Sequence, residues 1–135
     1  VLLSLDPPTP AEFVRLYAGT GWGSLDPHRA EQALAGSWLV CVAREDGPDE
    51  ELLGMARVVG DGALHAFVTE MIVREDVRGQ GVGAQILEHL VTESRRRGVH
   101  DVQLFAARGR AGFYERNGFR RRPDDAPGME LARDA

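Results

Sequence analysis

Met71-Ile72-Val73-Arg74-Glu75-Asp76-Val77-Arg78-Gly79-Gln80-Gly81-Val82-Gly83-Ala84 joins an apolar run to a long amphipathic pattern through a glycine-rich turn. The glycines clear side chains from the turn, so successive backbone N–H groups can point outward. They lie where the following helix leaves its first donors unsatisfied. The helix dipole adds partial positive charge and Arg78 adds a full one, so a phosphate or pyrophosphate is the natural guest.

The flanking residues decide among three motif readings. A Walker loop needs Gly-Lys-Ser/Thr, and the chain contains no lysine. Gly79, Gly81 and Ala84 fit the dinucleotide pattern G-x-G-x-x-A, but in the wrong context. That fold wants a tight turn straight off a parallel strand and an acid near the end of the next one. Here Val73 is followed by Arg74-Glu75-Asp76-Val77, and the next strand ends in Ala106-Ala107-Arg108. The acyl-CoA pattern R/Q-x-x-G-x-G/A is satisfied by Arg78 to Gly83, directly after a strand ending in Ile72-Val73.

On this loop, and on Ala111-Gly112-Phe113-Tyr114-Glu115-Arg116-Asn117-Gly118-Phe119, the chain resembles the GCN5-related N-acetyltransferase (GNAT) family. The second segment is similar to that family's FYxxxGF motif. The clear match covers residues 51–122, and the remainder agrees only in the order of its elements.

At 135 residues, with 43% hydrophobic and 27% charged, the chain reads as a single globular domain spanning 1–135. No apolar run is long enough for a membrane span and no signal peptide opens the chain, so a cytoplasmic protein is expected. The net charge of -5 argues against nucleic acid and favours a cationic partner such as an amine. Cys41, the lone cysteine, lies in an apolar run; with His28, His89 and His100 dispersed, no metal is expected.

Val1 to Leu5 is apolar enough for an edge strand. Thr9-Pro10-Ala11-Glu12 reads as a capping box opening a helix through about Tyr17. Asp26-Pro27 starts a second helix that Gly36 ends. Ser37 to Ala43, Glu51 to Val59 and Ala63 to Val73 read as an antiparallel meander. Val82, Ile86, Leu90 and Val91 form the apolar face of the helix after the loop, with Gln85, Glu88 and Glu93 turned outward; Gly98 stops it. Asp101 to Ala106 must run parallel to the strand before that helix, because a helix crossover joins them. A short helix around Arg110 to Asn117, a strand at Phe119 and a closing strand near Met129 to Leu131 complete the expected order.

The resemblance implies an α/β (α+β) GNAT acyl-CoA N-acyltransferase fold. Its mixed central sheet would have about six or seven strands with about four helices, its central parallel strands splayed. It implies acetyl-CoA as co-substrate, with Met71, Ile72 and Val73 pairing with pantetheine. Arg78, Gly79, Gln80, Gly81, Val82, Gly83 and Ala84 would hold the pyrophosphate, and a backbone N–H around Ile72 would face the thioester oxygen. Tyr114 is expected to give the departing thiolate its proton, against the alternative of a half-buried core tyrosine. Glu70 is a candidate general base, with substrate anchoring or a structural salt bridge as alternatives. His65 is an outside candidate for the same role.

Trp22, between Gly21 and Gly23, either lines an acceptor pocket or lids the core. Where many members of the family place an asparagine, this chain reads Ala106-Ala107-Arg108-Gly109-Arg110-Ala111; Arg108 or Arg110 is the substitute candidate for a CoA phosphate. The function expected is acetyl transfer to a primary amine, with a small-molecule acceptor and a homodimer as expected partners. A non-catalytic acyl-CoA sensor and a protein or peptide acetyltransferase are the alternatives.

Overall fold

The computed structural model describes residues 1–133, which fall into two compact units, one ending at Leu104 and one beginning at Phe105. The first unit is a five-stranded sheet in the order β1 (Leu2–Ser4), β2 (Leu39–Arg44), β3 (Leu52–Gly60), β4 (His65–Val73), β5 (Asp101–Leu104). The first three pairings are antiparallel and β4–β5 is parallel.

Two helices precede β2. In α1 (Pro10–Ala18), Thr9 Oγ1 accepts from the Glu12 N–H at 3.1 Å and Glu12 Oε1 accepts from the Thr9 N–H at 2.9 Å, the reciprocal bonds of a capping box. Asp26 caps α2 (Pro27–Ala35) through the N–H groups of His28 and Arg29. Phe13, Leu16 and Ala30 from these helices bury against Val40, Val42, Met55 and Ile72 of the sheet.

Side chains alternate along a strand, so Leu39, Cys41 and Ala43 belong to the opposite face, where α3 (Val82–Arg96) packs. Close approach there depends on Gly54: a Cβ would sit 2.9 Å from the Ile72 carbonyl oxygen and 3.1 Å from Ile86 Cδ1. The helix buries Val82, Ile86, Leu87, Leu90 and Ser94. Leu87 therefore takes the place expected of Val91, which is only half-buried, because a helix lying on a flat sheet presents a wider stripe than a narrow seam. Glu93, expected to turn outward, folds back onto Arg96 and Arg97 at 2.6 and 2.8 Å.

β4 starts at His65 rather than at Ala63. The Asp61 carboxylate accepts from the N–H groups of Ala63, Leu64 and His65 at 2.8–3.0 Å, so the turn outlasts the apolar pattern.

The second unit contains α4 (Ala111–Arg116), followed by Gly118 at φ +93°. The Phe119 N–H returns to the Tyr114 carbonyl at 3.0 Å. The strands expected at Phe119 and at Met129 to Leu131 are absent among the described residues, so the sheet has five strands rather than six or seven. Two prolines, Pro123 and Pro127, remove N–H donors there, and the intervening residues close a turn with Ala126 N–H on the Pro123 carbonyl. Met129 and Leu131 are 81% and 89% exposed, so no buried face holds them in an extended ladder.

Candidate active site

β4 is the element on which the site is built. Opposite Ala56 its register slips: Arg57 pairs with Thr69 and Met55 with Ile72, so Glu70 and Met71 face one residue of β3. This is a β-bulge, and its first residue, Glu70, has φ +45°. That conformation is glycine's in bulges of this kind, because a Cβ crowds the following carbonyl.

The bulge sets which backbone groups face outward. The Arg74 N–H donates to the Leu53 carbonyl across β3 at 2.7 Å. With alternation every second residue, Ile72 also faces β3, while Met71 and Val73 direct their N–H and C=O groups to the opposite edge. On that edge β5 pairs with β4 only from His65 to Val68; Thr69 to Val73 run on past the last rung, Val68 with Leu104. Ile72 itself is 3% exposed, with its side chain in the core.

The open edge runs into the glycine loop. After a single turn of 3-10 helix, η1 (Glu75–Val77), Gly79 and Gly81 adopt φ +82° and +84°. A Cβ at either would meet nothing within 4 Å, so the backbone angle and not space calls for glycine. Gly81 is the N-cap of α3 and, having no side chain, offers no cap to the N–H groups of the first turn. Unsatisfied donors at the positive end of a 15-residue helix make an anion cradle. Arg78 donates its Nε to the Val73 carbonyl at 3.2 Å, which leaves the rest of its fork for a phosphate.

A cavity of about 640 Å³ opens beside Val73 and Arg78, walled by α1 and the β2–β3 hairpin. Two of its other arginines are committed to acids: Arg44 holds Glu12 at 2.7 and 3.0 Å, and Arg74 holds Asp76, Glu45 and Glu51. The Arg44 guanidinium keeps the Glu12 carboxyl at about 2.

Glu70 has both carboxylate oxygens engaged. Oε1 accepts from Arg57 Nε at 2.7 Å and Oε2 from Thr69 Oγ1 at 2.8 Å. Arg57 also reaches the Ala33 carbonyl at 3.3 Å and Ser37 Oγ at 3.2 Å. Sequence reading missed Arg57, which lies in an ordinary strand pattern with no motif around it.

His65 pairs with Asp101 across the β4–β5 ladder at 2.7 Å, in an exposed position at the far end of β4 from the glycine loop. Trp22 stands edge-on to Tyr17, centroids 5.7 Å apart, and is 46% exposed, while Tyr17 packs against the core. Cys41 is fully buried, which pushes its thiol up to about 11 and makes it a poor nucleophile.

In the second unit, Tyr114 packs edge-on between Phe113 and Phe119 at 5.0 and 6.0 Å. Burial raises its phenol above the usual value, and the positive charge of Arg110 partly offsets this. Among the described residues its hydroxyl has no hydrogen-bond partner. Arg108 is exposed and Arg110 is the N-cap of α4. No group of three or more His, Cys, Asp or Glu side chains gathers as metal ligands among the described residues. No helix among them is long and apolar enough to cross a membrane.

Residues 36–121 match the model of the acetyltransferase (GNAT) domain. Serotonin N-acetyltransferase 2, chloroplastic, of Oryza sativa subsp. japonica is 31% identical over 121 residues, which is 87% of this chain. The chain spans 60% of that relative's length. The fold is shared with a GNAT-family acetyltransferase of Streptococcus pneumoniae (TM-score 0.81, 24% identity, 99% of this chain and 100% of the other). It is shared also with a probable acetyltransferase of meticillin-resistant Staphylococcus aureus (TM-score 0.83, 24% identity, 98% of both chains).

Proposed function

Because the chain belongs to the GCN5-related N-acetyltransferase family, we propose that it transfers acetyl from acetyl-CoA to a primary amine by direct attack. One observation carries the reading: β4 loses its parallel partner after Val68 and then leads straight into a glycine-rich anion cradle at the start of α3. An open strand edge offers N–H and C=O groups to an amide-bearing arm such as pantetheine. The cradle, from Arg78 to the first turn of α3, offers donors to the pyrophosphate at the arm's end.

In this reading Met71 and Val73 pair with the arm. Arg78 and the loop from Gly79 to Ala84 hold the pyrophosphate. The Met71 N–H donates to the thioester oxygen as it becomes an oxyanion. The acceptor nitrogen forms its bond to the carbonyl carbon, the tetrahedral intermediate collapses, and the C–S bond breaks. Tyr114, whose burial keeps the phenol protonated, gives the thiolate its proton and regains one from water. Glu70, gripped at its two oxygens by Arg57 and Thr69, shapes β4 beside the thioester in this reading, and the amine's proton leaves to water.

An arylalkylamine is the acceptor class proposed. The rice relative's name specifies such an amine, and the exposed Trp22 ring, edge-on to the half-buried Tyr17, supplies aromatic surface. The test is product identification by mass spectrometry after incubation with acetyl-CoA and a panel of arylalkylamines, polyamines, amino acids and short peptides. An acetylated arylalkylamine supports the reading. Acetylation confined to peptides overturns the acceptor class, and CoA binding with no product from any amine overturns transfer itself.

A further inference from the structure

We propose that Arg57 is a positioning residue for acyl transfer: through Glu70 it holds the β4 bulge that aims the Met71 N–H, and it ties that bulge to the end of α2. The inference rests on the acetyltransferase reading, and it concerns a residue outside both sequence motifs.

Glu70 occupies the left-handed position of a bulge, where glycine is the unstrained choice. A side chain with a Cβ stays there only when its surroundings fix it. Arg57 does so from the strand opposite. Its Nε binds Glu70 Oε1 at 2.7 Å, and Thr69 Oγ1 binds Oε2 at 2.8 Å, so the carboxylate is gripped at both oxygens. The side chains of Arg57 and Glu70 are 16% and 23% exposed, so water screens the pair little.

The other arm of the guanidinium reaches α2. Its Nη1 donates to the Ala33 carbonyl at 3.3 Å and to Ser37 Oγ at 3.2 Å, and Ser37 Oγ itself donates to the same carbonyl at 2.7 Å. That carbonyl lies in the last turn of α2, where a cation also complements the helix dipole. One planar group thus fixes three things at once: the strained φ of Glu70, the direction of the next N–H, and the helix that carries the loop before it against the sheet. Lysine could keep the charge but not this fork.

Glycine at position 70 separates positioning from proton transfer, because it relaxes the backbone and removes the carboxylate together. Rates for the wild type, Arg57→Gln, Arg57→Lys, Glu70→Ala, Glu70→Gly and the double change Glu70→Gly with Arg57→Gln are read as kcat and KM well below unfolding. CoA dissociation constants and Ile72 amide exchange accompany them. Arg57→Gln, Arg57→Lys and Glu70→Ala are expected to lower kcat by about tenfold to a hundredfold, with CoA affinity within about threefold. Glu70→Gly recovers most of that loss, and adding Arg57→Gln to it changes kcat little further.

If Glu70→Gly is as inactive as Glu70→Ala while binding CoA normally, Glu70 is a proton acceptor and the proposal falls. It falls equally if Arg57→Gln leaves kcat unchanged. Amide exchange keeps the two readings apart: a wild type that transfers nothing removes the function, while the clamp is still judged by whether Arg57→Gln speeds exchange at Ile72, whose N–H faces β3 just after the bulge, and Glu70→Gly leaves it slow.

Discussion

Replacing Gly81 by alanine separates the two demands that the glycine loop makes on its backbone. Gly81 has φ +84° and ψ +5°, and a Cβ there meets nothing within 4 Å. The cost is therefore conformational alone, about 1–2 kcal/mol for holding an L-residue in the left-handed region. A chain of this size then loses roughly 3–10 °C in its thermal midpoint. If the alanine instead escapes to negative φ, stability is kept but the first N–H groups of α3 turn away. Losing one charge-assisted hydrogen bond, worth about 1.5–3 kcal/mol, weakens CoA binding about tenfold to a hundredfold. The two losses trade against each other, so thermal denaturation and calorimetric CoA titration on the same protein are read together. Asparagine, which tolerates the left-handed region, should recover much of whichever is lost. An alanine variant as stable as the wild type that binds CoA as tightly would refute the reasoning.

Tyr114→Phe should lower kcat by about tenfold to a thousandfold with CoA affinity unchanged, and an unchanged rate would take Tyr114 out of the mechanism. Gly54→Ala should cost about 1–3 kcal/mol in urea denaturation, because its methyl group would press the Ile72 carbonyl and Ile86; an unchanged midpoint would mean that α3 sits less tightly on β3. Arg44 holds the Glu12 carboxyl at about 2, below its ordinary 4.5, so its contribution is full above about pH 4.5 and is lost as pH falls toward 2. After allowance for solvent screening this is about 1–2 kcal/mol. Glu12→Gln should flatten the fall in urea midpoint between about pH 6 and about pH 3, and parallel profiles would remove the pair from the account.

Local chemistry made much of this fold readable. Thr9 with Glu12 and Asp26 with Pro27 announce their helices because the capping bonds span only a few residues. The parallel β4–β5 pairing follows from the crossover through α3, since no short turn can join parallel strands. The bulge at Glu70 was not readable, because a register slip exists only relative to the strand opposite, and no local pattern records that Ala56 faces two residues. It moves the outward N–H groups from Ile72 to its neighbours. Arg57 was hidden for the same reason: its three partners lie 13 to 24 positions away in sequence. The C-terminal strands were over-read, since Phe119, Met129 and Leu131 look like strand residues until their exposure is known.

Initial rates of thiol release, with acetyl-CoA and an accepted amine varied together, test direct transfer most plainly. Both substrates must be bound before the C–S bond breaks, so double-reciprocal lines should intersect, and Cys41→Ala should leave them in place because that thiol is buried and held up at about 11. Parallel lines, the mark of an acyl-enzyme, or no amine-dependent thiol release at all, would contradict the account.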